Sequence, residues 1–196
     1  MWNSSEPISI AAKPSASQTA SDCRLVPVDF AHGDGLHELF CLPEVYRYLA
    51  DGAPPDREIT TRWIEKSFAD RTITPDVGLY RLLSADDRII GCVRTHFLAA
   101  PRTTELTYVL HPEAWGRGLA TAMGWTAMQQ AFGSGCVDTM IAATDDPNTA
   151  SVAVMRRLGM RFLRHTRNPR WSGVEYVRHR SDPWPATVPA RLPLQS

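Results

Sequence analysis

ELTYVLHPEAWGRGLATA, running from Glu105 to Ala122, changes texture twice. Leu106, Tyr108 and Leu110 alternate with Glu105, Thr107 and Val109, which is the period-two pattern of a strand. From Leu119 the spacing is helical: Leu119, Met123 and Ala127 fall on one face, with Met128, Ala131 and Phe132 near it. Between the two stand Gly116, Arg117 and Gly118. A helix start exposes backbone N–H groups that lack an intrahelical acceptor, and it carries a partial positive charge. Glycines just before it let the chain approach an anion closely. Gly116 and Gly118 supply low bulk, Arg117 supplies charge, and Leu119, Ala120 and Thr121 are the first residues whose N–H groups point outward. Two other phosphate loops are excluded. No Lys followed by Ser or Thr comes after the last glycine, and Thr121 stands where a dinucleotide-binding loop needs its third glycine. Taken alone, the stretch fits a tight strand-to-helix turn and a phosphate cradle equally.

Reading outward, CRLVPVD has the alternation of a short strand. In DGLHELFCLPEVYRYL, Leu36, Leu39 and Phe40 have helical spacing and Pro43 interrupts, giving two short helices or a kinked one. A helix starts at or just after Asp56, with Ile59, Trp63 and Ile64 as one stripe and Thr60, Ile64 and Phe68 as an adjoining one. VGLYRLLSADDRIIGCVRTHFL reads as a hairpin with Asp86 and Asp87 in its turn. Past the glycines and their helix, a strand runs through Val137 and Ile141. NTASVAVMRRLGM is a short helix capped by Asn148 and ended by Gly159, and two last strands follow. The order β-α-α-β-β-β-α-β-α-β-β describes one α/β domain.

The 196 residues suit one domain with tails, and 43% hydrophobic residues suffice for a core. Basic and acidic residues balance at 21 each, so no electrostatic case for nucleic acid arises. Cys23, Cys41, Cys92 and Cys136 are scattered without a CxxC pair, which points to reduced structural or surface cysteines and to no metal site. Residues 1–22 are rich in Ser, Ala and Pro, lack the features of a signal peptide, and read as a flexible tail. The domain spans residues 23–181, and residues 182–196 form a Pro-rich tail whose Trp184 is free to dock. No apolar run is long enough for a membrane-spanning helix. The expected setting is cytoplasmic, with no membrane partner.

ELTYVLHPEAWGRGLATA together with NTASVAVMRRLGM resembles the GNAT superfamily of acyl-CoA-dependent N-acyltransferases, and within it the RimJ/RimL-type ribosomal-protein N-acetyltransferases. The resemblance covers roughly residues 23–180. The family writes its acyl-CoA loop Q/R-x-x-G-x-G/A; Trp115, Gly118 and Ala120 occupy the three defined places, and Trp115 departs from Gln or Arg. The resemblance implies a central, mixed, mostly antiparallel twisted sheet of six to seven strands flanked by about four helices. It implies acetyl-CoA as cosubstrate, no metal, and an amine-bearing small molecule or a peptide N-terminus as acceptor; many relatives pair, so a homodimer fits. It also implies site roles. Val109 and Leu110 would pair by main chain with the pantetheine arm. Trp115 through Thr121 would form the cradle, with Arg117, Gly118, Ala120 and Thr121 on the pyrophosphate and Gly116 and Leu119 completing the loop. Asn148 would contact the pantetheine, and Ser151 would lie near the thioester sulfur.

Acyl transfer to an amine requires loss of the amine's proton, donors for the oxyanion, and a proton for the departing thiolate. Glu105, on the strand entering the loop, is the first candidate base, and His96 on the neighbouring strand is a second through its near-neutral pKa. Tyr108 and Ser151 are the candidate proton donors to sulfur, and the main-chain N–H near Val109 or Leu110 is the oxyanion donor. Tyr46, Tyr48, Trp63, Trp171 and Tyr176, with Asp70, Asp76 and Glu175, come from the regions that would frame the acceptor, and none is singled out. A non-catalytic acyl-CoA-binding or sensing module of the same fold is the competing reading. A nucleotide- or phosphate-binding regulator is the third.

Overall fold

The computed structural model describes residues 22–49, 52–168, 171–187 and 189–195, so nearly all of the expected N-terminal tail lies outside the described residues. Seven strands form one sheet in the order β1-β2-β3-β4-β5-β7-β6. They are β1 (Arg24–Pro27), β2 (Leu79–Leu83), β3 (Ile89–Phe97), β4 (Thr103–Leu110), β5 (Thr139–Asp145), β6 (Arg161–Asn168) and β7 (Trp171–His179). Every neighbouring pair is antiparallel except β4 and β5. Helices α1 (Gly33–Phe40), α2 (Pro43–Tyr46) and α3 (Arg57–Arg71) belong to one side of the sheet, and α4 (Leu119–Gly133) and α5 (Thr149–Arg157) to the other. The early helical segment is two helices because Pro43 stands in the first turn of α2. The described residues thus hold five α-helices, α2 a single turn, around the expected sheet.

Each side has its own core. Leu36, Leu39, Phe40 and Ile64 pack on Leu79, Leu83, Ile89, Cys92 and Val109. Met123, Trp125, Met128, Met155 and Leu158 pack on Ile90, Val93, Leu106 and Met140. The stripe expected on α3 is rotated: its buried residues are Thr60, Ile64, Ser67 and Asp70, while Phe68 is exposed and stacks on Phe30 at 5.3 Å. The reason is polar. Ser67 Oγ accepts from the Leu79 N–H at 2.7 Å, and Arg71 donates to the Leu79 carbonyl at 2.8 Å, so α3 is tied to the start of β2 by its hydrophilic groups.

α4 is buried almost all round, which requires cover on its outer face. The C-terminal residues provide it. Trp184 meets Trp125 edge-on at 4.6 Å, and the Arg178 guanidinium lies 4.2 Å from the Trp184 ring. Arg178, 1% exposed, donates to the carbonyls of Gly159, Asp182 and Pro183. Further on, the Leu192 N–H donates to Thr126 Oγ1 at 3.0 Å. Leu25 and Leu194 form an isolated parallel bridge, with main-chain bonds from Leu25 to Pro193 and from Gln195 to Leu25. The proline-rich end is thus a strap that crosses α4 and closes the β1 edge.

Candidate active site

β4 and β5 pair only at Thr103–Glu105 with Thr139–Ile141. Beyond that the strands part, and Leu106–Leu110 on one side and Ala143 and Thr144 on the other line a cleft of about 530 Å³. The register decides which backbone groups face it. His111 donates to Ile90, and Leu98 to Thr103, so the odd-numbered residues of β4 spend their main-chain groups on β3. Leu106, Tyr108 and Leu110 turn theirs toward β5. Val109 therefore has its N–H and carbonyl turned away from the opening, contrary to the expectation that it pairs with a ligand there. Leu110 fits that expectation by half. Its carbonyl accepts from the Trp115 indole N–H at 2.9 Å, which leaves its N–H on the open side. Trp115 thus bonds back to the strand end and clips loop to strand.

The loop owes its glycines to backbone conformation. Gly116 and Gly118 both have φ of +75°, a left-handed region that side-chain-bearing residues avoid. A Cβ on either would meet no atom within 4 Å, so low bulk is not demanded by protein neighbours. Gly118 is the N-cap of α4 and offers no side-chain acceptor, and the first helical bond runs from Ala122 to Gly118. The N–H groups of Leu119, Ala120 and Thr121 precede that first bond, and all three residues line the cleft. Such a helix start fits a phosphate. Arg117 is not among the cleft-lining residues; its charge lies near Cys23.

α5 forms the opposite wall, presenting Ala150, Ala153, Val154 and Arg157 along one stripe. Asn148 caps it, Oδ1 accepting from the Ser151 N–H at 3.1 Å. The capping reading and the cleft-lining position coexist in this one residue. Ser151 Oγ lies 2.8 Å from the Tyr108 hydroxyl, which also donates to the Ser151 carbonyl at 3.0 Å. Burial pushes the Tyr108 phenol well above its ordinary pKa, so it stays protonated. The two expected proton donors are thus one hydrogen-bonded pair bridging β4 and α5.

Glu105 lies on the other face of β4 and does not line the cleft. It stands opposite His96 on β3, with Nε2 and Oε2 3.6 Å apart. Burial raises the Glu105 pKa and Arg94 opposes the rise. His96 is pulled down to about 3 by burial, then by the charges of Arg94 and Lys66. It is neutral at physiological pH and a weak base, which corrects the near-neutral expectation. Arg94 is 8% exposed and sits 4.9 Å from the Trp63 ring centroid. Asp70, fully buried, holds Lys66 at 2.7 Å. A charged residue amid the apolar run GCVRTHF was the available signal for Arg94.

The residues expected to frame an acceptor converge only in part: Trp63, against Arg94, and Asp70, against Lys66, belong to the Glu105 side, and the others scatter. Tyr48 lines the cleft, Tyr176 packs in the α4–α5 core, and Asp76 bonds with Gln130 beside Tyr80. Tyr46 is half-buried on α2, and the Trp171 side chain lies outside the described residues. Glu175 joins Glu105 as well. Ala143, two residues past the Glu105 partner Ile141, is its cross-strand neighbour, so both carboxylates face the same side. Arg164 holds Glu175 at 2.8 Å. Sequence reading missed Glu44, Arg47 and Arg157 as cleft-lining residues.

The sequence profile of the acetyltransferase (GNAT) domain matches residues 23–161. An acetyltransferase of the GNAT family from Bacillus anthracis superposes with a TM-score of 0.69 at 18% identity, covering 84% of this chain and 98% of its own. RimL, a ribosomal-protein alpha-N acetyltransferase solved with coenzyme A, gives 0.67 at 17% identity, covering 88% and 96%. A spermidine N-acetyltransferase from Vibrio cholerae, solved with CoA and spermine, gives 0.64 at 14% identity, covering 82% and 96%.

Proposed function

Since the chain belongs to the GNAT acetyltransferase family, we propose that it transfers an acetyl group from acetyl-CoA directly to a primary amine in a ternary complex. The observation that carries this is the parting of β4 and β5 between the Tyr108–Ser151 pair and the Glu105 face. A thioester held there supplies an already activated acyl group, so no covalent enzyme intermediate is needed. The N–H groups of Leu119, Ala120 and Thr121 hold the phosphates, and Asn148 orients the pantetheine arm. The Leu110 N–H, and that of Tyr108 by the same alternation, stabilise the oxyanion. Glu105 takes the proton of the attacking amine. Its raised pKa brings it closer to the amine's own than an exposed carboxylate would be. The Ser151 hydroxyl, backed by Tyr108, delivers a proton to the departing sulfur.

The acceptor is a peptide N-terminus or a small-molecule amine, the two kinds of acceptor named for RimL and for the spermidine enzyme. RimJ/RimL-type enzymes are the branch this reading favours. The test is thiol release from acetyl-CoA in the presence of N-terminal peptides, polyamines and small amines, beside calorimetry with CoA, ATP and NAD. Amine-dependent thiol release is expected. CoA binding without turnover on the whole panel would reduce the protein to an acyl-CoA sensor. Heat from ATP and none from CoA would remove the cradle assignment.

A further inference from the structure

The two edges of the sheet are finished differently. β1 receives main-chain bonds from the C-terminal strap, whereas β6, among the described residues, has a strand partner on one side, β7. Around β6 the sequence RRLGMRFLRHTRNPR, residues 156–170, holds six of the chain's 21 basic residues and no Asp or Glu. Arg156, Arg157, Arg161 and Arg167 are exposed and have no carboxylate partner among the described residues. Phe162 and Leu163 are exposed at 50% and 42%.

The bonding pattern shows what the edge offers. Arg180 donates to Asp138, and Asp146 to Ser172, so alternate residues of β7 bond to β5 and those between, Gly173, Glu175 and Val177, turn to β6. Arg161, Arg164 and Thr166 stand opposite these three. Phe162, His165 and Arg167 therefore point their N–H and carbonyl groups outward. Side chains alternate as well. Arg161 and Arg164 flank the edge on the Glu175 side, and His165 and Arg167 flank it on the α5 side, where Phe162 packs at 5.1 Å from His165. A strand added here meets cations on both of its faces. A second copy of β6 would bring arginine against arginine, which disfavours self-pairing.

We infer that the β6 edge is a docking site for an acidic, extended polypeptide segment of a partner protein, bound by strand addition. Main-chain pairing gives such sites their affinity, and flanking side chains give them selectivity. The site stands whether or not the docked segment is itself acetylated.

The test measures binding without acetyl-CoA. Fluorescein-labelled peptides of alternating Glu and Val, their Lys–Val counterparts and a single-stranded RNA are titrated by anisotropy against the full chain. The acidic peptide is expected to bind at least about tenfold tighter than the basic one, and to weaken as salt rises. Arg161→Glu with Arg167→Glu should abolish that preference. Phe162→Pro removes one outward N–H at a sheet edge, where proline is tolerated, and should weaken binding about threefold to tenfold. Circular dichroism confirms that each variant folds. Equal affinity for both peptides, or none for either, overturns the proposal. So does tighter RNA binding that Phe162→Pro leaves unchanged, or light scattering that shows a dimer dissociated by the charge reversals.

Discussion

Tyr108 and Glu105 sit three residues apart on opposite faces of β4, and their surroundings are built by different means. On the Tyr108 face the cleft depends on backbone: two left-handed glycines, a helix start, an Asn cap and a strand end clipped by Trp115. On the Glu105 face the environment depends on charges gathered from α3 and β3, namely Lys66, Asp70, Arg94 and His96. Backbone features follow from local sequence. Charge environments follow from register and helix placement, which no single stretch encodes.

The sharpest break between the faces is Glu105→Gln. It should lower kcat by about a thousandfold, as loss of a general base does, and leave CoA affinity unchanged. The acid limb of the pH–rate profile should vanish with it. In the wild type that limb lies above the ordinary carboxylate range, because burial raises the Glu105 pKa. An unaltered limb in the variant would move the base elsewhere.

Gly118→Asp tests the opposite face. The carboxylate would occupy the N–H groups meant for phosphate, on a backbone at φ +75° that side chains avoid. CoA affinity by calorimetry should fall about a hundredfold, with kcat at saturating acetyl-CoA changed far less. Unchanged affinity would show that the phosphates sit elsewhere.

Smaller effects separate clip from cradle. Trp115→Phe keeps an aromatic ring, though a smaller one, and deletes the 2.9 Å bond to Leu110. A net hydrogen bond is worth about 1 kcal/mol, so CoA affinity should drop about threefold to tenfold. A null result would make the indole N–H idle.

His96 gives the smallest effect at neutral pH and the clearest below it. Its pKa in the fold is about 3 against an ordinary 6.5, so between those values the unfolded chain binds the extra proton. The stability it confers is complete above pH 6.5 and is lost as pH falls toward 3. Its share of the slope reaches about 1.4 kcal/mol per pH unit. Denaturant melts of His96→Asn across that range should show the flatter curve. Parallel curves would mean that His96 is protonated in the fold.

Legibility divides along the same line. The alternation in ELTYVL, the glycines before α4 and the Asn148 and Gly159 signals placed the cleft's backbone correctly, because each is a short-range constraint. The expectation for Val109 failed because hydrogen-bond parity depends on how β3 aligns. The α3 stripe held at Thr60 and Ile64 and failed at Phe68, because Ser67 and Arg71 bind the β2 backbone, a long-range contact. His96 looked like a pH-active base until burial and two cations were counted. Arg157 lines the cleft beside Ala150 and Val154, and an arginine in the last turn of a short helix gives no local sign of that.

The strap has a consequence in time as well as in space. Arg24 and Gln195 are 171 positions apart and bond directly. A chain made from its N-terminus displays β1 long before the residues that close it. Until Leu192 and Leu194 have left the ribosome, Thr126 and the outer backbone of β1 lack these partners. The domain therefore completes its fold as a late, long-range event that synthesis itself schedules.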